Sequence, residues 1–131
     1  MRETVSQLKL RMAVLDGVYA VCRLDARTGI PSWIAGEFWS ITQTPDELSV
    51  VCLQECVPSG IRHEGDWRII KVLGPLSFDL IGIMALISSA LAEAGISVFA
   101  MATYDTDYVL VKADQLERAL KALTRQGMEL V

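Results

Sequence analysis

The sequence predicts an α+β fold, and three observations carry that expectation. Ile- and Val-rich runs at Trp67–Leu73, Ile96–Ala102 and Tyr108–Lys112 alternate with two segments of helical character. Leu116, Ala119, Leu120 and Leu123 recur at the i, i+3, i+4, i+7 spacing of an amphipathic helix. Gly95 and Gly127 each stand just past a helical segment, where a left-handed residue ends a helix. With Met128–Val131 as a last strand, the second half has the order β-α-β-β-α-β. This is the ferredoxin-like plan, with both helices on one face of an antiparallel sheet.

Taken in order, Val5–Val14 and Val18–Leu24 are apolar stretches separated by Asp16-Gly17, which predicts a hairpin. Thr28-Gly29-Ile30-Pro31 reads as a loop. Phe38–Thr42 and Leu48–Leu53 read as strands around a turn at Thr44-Pro45-Asp46-Glu47. Val57-Pro58-Ser59-Gly60 and Glu64-Gly65 mark the boundary between two lobes, residues 1–60 and 61–131. The first lobe is rich in strands and poor in helix, and reads as a degenerate copy of the second without a residue-level repeat. In the second lobe, Gly74-Pro75-Leu76-Ser77 turns into a helix over Phe78–Ala94, and Asp114 with Glu117 forms a capping-box start to the next. We expect the first and third strands of this lobe to be adjacent and antiparallel, with the second strand at the other side of the first. That arrangement puts the connection Thr103–Asp107 at the same edge as the loop Gly74–Ser77.

The two helices differ in polarity. The later one carries Glu117, Arg118, Lys121 and Arg125 on one side, as a surface helix does. In the earlier one, Leu80, Ile83, Ile87, Leu91 and Ala94 would face the sheet, and Ile81, Ala85, Ser88 and Ala92 form a second stripe of small and apolar residues. A helix apolar nearly all round is covered on both sides, here by the first lobe or by a second subunit.

The chain has 131 residues, 52% hydrophobic and 21% charged, which suits a compact domain and not a disordered one. Sixteen acids against twelve Lys and Arg give a net charge of −4, so no basic stripe exists to neutralise nucleic-acid phosphates. Leu80–Ala92 and Ala94–Tyr104 are apolar but interrupted by Glu93 and Gly95, short of the roughly 20 residues of a membrane span. The charges at Arg2, Glu3 and Lys9 and the three cysteines, an odd number, point to a cytoplasmic protein with free thiols.

His63, the one histidine, sits in a Gly-rich charged loop with no nucleophile motif beside it and reads as a solvated residue. Cys52 and Cys56 lack the close pairing that zinc sites use and read as half-buried thiols. No phosphate-binding glycine loop or metalloprotease motif is present, and we expect no catalytic residues, metal or cofactor. Two segments remain. Gly74, Pro75, Leu76, Ser77, Phe78 and Asp79, with Gly82 beyond them, lead into a helix N-terminus whose free N–H groups favour an anion such as an α-carboxylate; the alternative is a simple helix cap. Thr103, Tyr104, Asp105, Thr106 and Asp107 gather two carboxylates and two Thr hydroxyls that could hold an ammonium group, or form an ordinary polar turn.

Gly65–Leu76, Leu91–Ala100 and above all Thr103-Tyr104-Asp105-Thr106-Asp107-Tyr108 resemble the small bacterial ACT-domain proteins. These are similar to the regulatory domains of aspartate kinases and to the animal arginine sensor of the growth-control kinase pathway. The first half joins the resemblance through Tyr19–Leu24, Ile30–Trp33 and Thr44–Cys52. The resemblance implies tandem ACT-like lobes, a homodimer, and non-catalytic binding of a small amino acid by a regulatory or sensor protein. It implies a ligand site at Gly74–Asp79 and Thr103–Asp107. Ala102 and Ser77 depart from the family's pattern, which has a Ser and an Asp there. The alternative from another class is a dimeric interaction module that docks a partner enzyme without a ligand.

Overall fold

The computed structural model describes residues 9–74, 76 and 81–131. Their elements are β1 (Arg11–Val14), β2 (Tyr19–Leu24), β3 (Ser40–Gln43), β4 (Leu48–Leu53), β5 (His63–Val72), α1 (Ile83–Glu93), β6 (Phe99–Ala102), β7 (Asp107–Lys112), α2 (Leu116–Arg125) and β8 (Glu129–Leu130). Short 3₁₀ turns follow β4 at Gln54–Cys56 and β7 at Ala113–Gln115. The architecture is α+β, as the sequence predicts. It divides into a split unit, made of the chain up to Asp16 together with Arg68–Val131, and an inserted unit, Gly17–Trp67.

In the split unit, β1 runs antiparallel to β5 with Met12 opposite Val72 and Val14 opposite Ile70. β8 lies parallel to β1 on its far side, while β7 is bonded to both β5 and β6. The strand order is therefore β8-β1-β5-β7-β6. Two expectations are corrected here. β6 lies outside β7 and not beside β5, because the tight turn between β6 and β7 keeps them paired, with Phe99 opposite Leu110 and Ala102 opposite Asp107. The other side of β5 is taken by β1, which also stands between β5 and the last strand. Nor do β1 and β2 form a hairpin across Asp16-Gly17: β1 pairs with β5 and β8, and β2 with β4 and β5. What holds β1 in the split unit is its inward face, since Leu10 and Met12 pack in one cluster with Ile70 and Val72.

Both helices cover this sheet. Ile83, Ile87, Ala90 and Leu91 of α1, and Ala119, Ala122 and Leu123 of α2, bury against Ile70, Val72, Val109 and Val111. Those strand residues alternate along β5 and β7, as one face of a pleated sheet requires. α1 ends as its sequence predicts. Gly95 adopts φ +74°, its N–H donates to the Ala92 carbonyl at 3.0 Å, and the Ile96 N–H reaches back to Leu91 at 2.9 Å. α2 closes the same way at Gly127, with Met128 bonded to Leu123. In each case the residue after the glycine is buried and seals the helix end.

The start of α1 differs from the expectation. Ile81 and Gly82 precede the helix, Gly82 having φ +92°, and the first helical bond runs from the Leu86 N–H to the Gly82 carbonyl at 2.9 Å. The remaining predicted positions, Phe78–Leu80, lie outside the described residues. The capping box at Asp114 does not form either: Asp114 belongs to the 3₁₀ turn, and α2 begins at Leu116 without a side-chain cap.

The inserted unit holds β2, β3, β4 and the first residues of β5 in the order β3-β4-β2-β5, all antiparallel. Ala20, Cys22, Leu48, Val50 and Cys52 form its core, packed by Trp33, Ile34 and Ile41. The predicted turn at Thr44 is present, with Thr44 Oγ1 accepting from the Asp46 and Glu47 N–H groups. A bulge at Gly65-Asp66 places Asp66 at φ +64°, held by the Gln54 side chain, whose oxygen accepts the Asp66 N–H at 2.5 Å. Among the described residues no helix is long and apolar enough to cross a membrane.

Ile87 is fully buried between α1 and the sheet. Ile87→Ala should lower unfolding free energy by about 2–5 kcal/mol, the range for truncating a buried aliphatic residue, and urea denaturation measures this directly.

Candidate functional site

Where β5 ends, the chain passes close under the β6–β7 turn. The Leu76 N–H donates to the Asp105 carbonyl at 2.7 Å. Gly74 lies so near this turn that a Cβ there would fall 2.9 Å from the Asp105 oxygen and 3.1 Å from the Thr106 Cβ. The close approach requires glycine at Gly74. The turn itself is tight: the Thr103 N–H and hydroxyl both donate to the Thr106 carbonyl, at 2.8 and 3.1 Å. The Thr106 hydroxyl donates to the Val72 carbonyl at 2.5 Å. The two segments singled out in the sequence therefore meet at one end of the split unit's sheet.

Between them opens a cavity of about 340 Å³ lined by Leu76, Gly82, Ile83, Met84, Ala85 and Thr103, Tyr104, Asp105, Thr106 and Asp107. The first turn of α1 forms one side, and its leading N–H groups have no partner within the helix. Asp105 and Asp107 supply charge on the other side, and no Lys, Arg or His is among these lining residues. Asp105 is exposed and Asp107 half-buried. Burial pushes the Asp107 carboxyl above the usual carboxylate range. Tyr104 is 81% exposed, so its ring stands at the rim.

Of the residues expected from the sequence, Leu76, Gly82 and the whole of Thr103–Asp107 line this cavity, and Gly74 packs behind it. Pro75, Ser77, Phe78 and Asp79 lie outside the described residues. Ile83, Met84 and Ala85 were not expected. The signal for them was Gly82 itself, since glycine is a poor residue inside a helix and a common one just before it.

The other candidates lie apart from this site. His63 opens β5, is exposed, and donates from Nδ1 to the Ile61 carbonyl at 2.8 Å. Cys56 is half-buried as expected, but Cys52 is fully buried because it points, like Cys22, into the core of the inserted unit. Burial pushes the Cys22 thiol up, offset in part by a hydrogen bond with Cys52. Cys52 is pushed up to about 12, chiefly by burial and then by its thiol neighbours. Among the described residues no group of three or more His, Cys, Asp or Glu side chains is placed to hold a metal ion.

A family profile of the ACT domain matches residues 62–125, and a second, of an N-terminal domain, matches 17–60. The chain belongs to the ACT-domain proteins. A solved protein from Agobacterium tumefaciens is 38% identical, with a TM-score of 0.88 over 95% of this chain and 93% of its own. The regulatory subunit of aspartate kinase from Thermus thermophilus shares the fold at 16% identity, with a TM-score of 0.57 over 90% of this chain and 93% of its own. Cytosolic arginine sensor for mTORC1 subunit 1 of Bos taurus is 38% identical over 110 residues, 78% of this chain and 33% of its own. This ACT-domain chain thus spans about a third of the length of the curated relatives it matches.

Two outcomes follow from the titrating groups. A carboxyl whose folded pKa is raised leaves the fold unpenalised below its unfolded value near 3.9 and penalises it as pH rises through the folded value. Asp107→Asn should therefore match wild type in acid and melt at a higher temperature than wild type near pH 7, without ligand. Thermal melts at several pH values check this. In native protein at pH 8 a disulfide reagent should titrate Cys56 rapidly, with Cys22 and Cys52 reacting only after denaturation.

Proposed function

We propose that this ACT-domain chain is a non-catalytic regulatory protein that binds a small amino acid in the cavity between α1 and the β6–β7 turn. The observation that carries the reading is the pairing of a helix N-terminus with two carboxylates across one cavity. Backbone N–H groups of the first turn suit an α-carboxylate, and Asp105 or Asp107 suits an ammonium group. The lining acids outnumber what a plain zwitterion needs, which favours a ligand with an added positive charge. Arginine is the first to test, given the curated relatives' name. The first lobe, residues 1–60, is read as a degenerate ACT-like copy of the second, residues 61–131, and the cytoplasm as the site of action.

A homodimer belongs to the same proposal. Ala85 and Ala92 lie exposed on α1 and Ile81 just before it, and β6, bonded among the described strands to β7, carries exposed Ala100 and Ala102. These exposed residues also support the second reading, a module that docks a partner enzyme without ligand.

Calorimetry and thermal shift against the twenty amino acids, arginine first, test the reading. A binding amino acid should raise the melting temperature, and Asp105→Asn or Asp107→Asn should weaken it by about 1.5–3 kcal/mol, the scale of a hydrogen bond to a charged group. If no amino acid binds, the docking reading stands instead. Light scattering should give twice the 14.4 kDa chain mass at micromolar concentration; a monomer mass removes the dimer.

A further inference from the structure

Thr106 is the one polar or charged side chain that is buried among the described residues, at 4% exposure. Its hydroxyl is spent on the Val72 carbonyl at 2.5 Å, at the last residue of β5. Its Cβ occupies the space a side chain at Gly74 would need. The neighbouring Asp105 carbonyl takes the Leu76 N–H. Two consecutive turn residues thus bond to residues 72 and 76 and bracket the glycine between them. Thr103 ties the turn to itself through the Thr106 carbonyl. The segment leaving β5 and the turn that carries Asp105 and Asp107 are therefore joined by bonds that no bound molecule need supply.

We propose that Thr106 is a positioning residue: its buried hydroxyl latches the β6–β7 turn to the end of β5 and so sets the two carboxylates of the cavity before any ligand arrives. The proposal rests on the amino-acid reading of that cavity for its functional consequence, but the latch itself does not. A site held in place beforehand avoids the ordering of its own loop on binding, which otherwise weakens affinity. Threonine suits the role because its Cβ lies against Gly74 while its hydroxyl reaches the Val72 carbonyl. Valine keeps the shape and leaves the Val72 carbonyl without this donor. Serine keeps the donor and loses the methyl.

The test uses the whole chain and two arms. Without ligand, exchange of the Leu76 amide is followed by NMR in wild type, Thr106→Val and Thr106→Ser, with Val109 as the core reference. Thr106→Val should speed Leu76 exchange at least tenfold while Val109 stays within about twofold, and Thr106→Ser should restore protection. In wild type, the Thr106 hydroxyl proton should be visible and slow to exchange, a measurement that stands even if Thr106→Val fails to fold. With L-arginine as the probe, Thr106→Val should lose at least tenfold in affinity and Thr106→Ser less than threefold. Unchanged Leu76 exchange in Thr106→Val, failure of serine to rescue, or a rapidly exchanging Thr106 hydroxyl in wild type overturns the latch. Failure of wild type to bind L-arginine counts against the ligand reading and leaves the exchange arm to decide the latch.

Discussion

A strand that ends at the rim of a sheet leaves backbone groups that must find partners, and in this chain the end of β5 finds them in the β6–β7 turn. The Val72 carbonyl is met by the Thr106 hydroxyl, and the Leu76 N–H by the Asp105 carbonyl. Buried backbone groups left unpaired are strongly disfavoured, so the path between β5 and α1 and the shape of the hairpin turn are solved together. The glycine at Gly74 follows from that solution, as does the placement of two acids beside the helix start. The cavity is a by-product of satisfying a strand end.

The helices answer to a different constraint. Each must bury an apolar face and close its own C-terminus, and both close with a glycine in the left-handed region followed by a buried residue. α2 has polar residues for its outer side and Arg118 donates to the Ala94 carbonyl, capping the end of α1. α1 has fewer such residues, Ser89 and Glu93, and keeps Ala85 and Ala92 exposed, with Ile81 exposed just before the helix. The helix whose outer face is least suited to water is thus the one whose first turn lines the cavity, so any partner covering that face would lie close to the site.

The same fold appears here at high and at low sequence identity, from the Agobacterium tumefaciens protein to the Thermus regulatory subunit. A fold shared at 16% identity constrains the backbone and not the ligand. The cavity of this chain has its own observable chemistry: acids without a basic residue among the described lining, and one of them partly desolvated.

By itself the sequence determined the elements whose signals are local. The bounds of β4, the helix ends at Gly95 and Gly127, and the turn at Thr44 rest on neighbouring residues and were legible from spacing and turn chemistry. The two candidate segments at Gly74 and Thr103–Asp107 were legible for the same reason, since glycine and clustered polar residues mark places where the backbone does something unusual. Only the tertiary structure decided which strands pair. Asp16-Gly17 has the composition of a hairpin turn, but the pairing of β1 with β5 depends on Met12 meeting Val72, residues sixty positions apart. It also decided that α1 starts at Ile83, so that Ile83, Met84 and Ala85 line the cavity. Periodicity reports which face of a segment is apolar; pairing and helix entry depend on distant backbone groups that must be satisfied, and nothing in a local window encodes those.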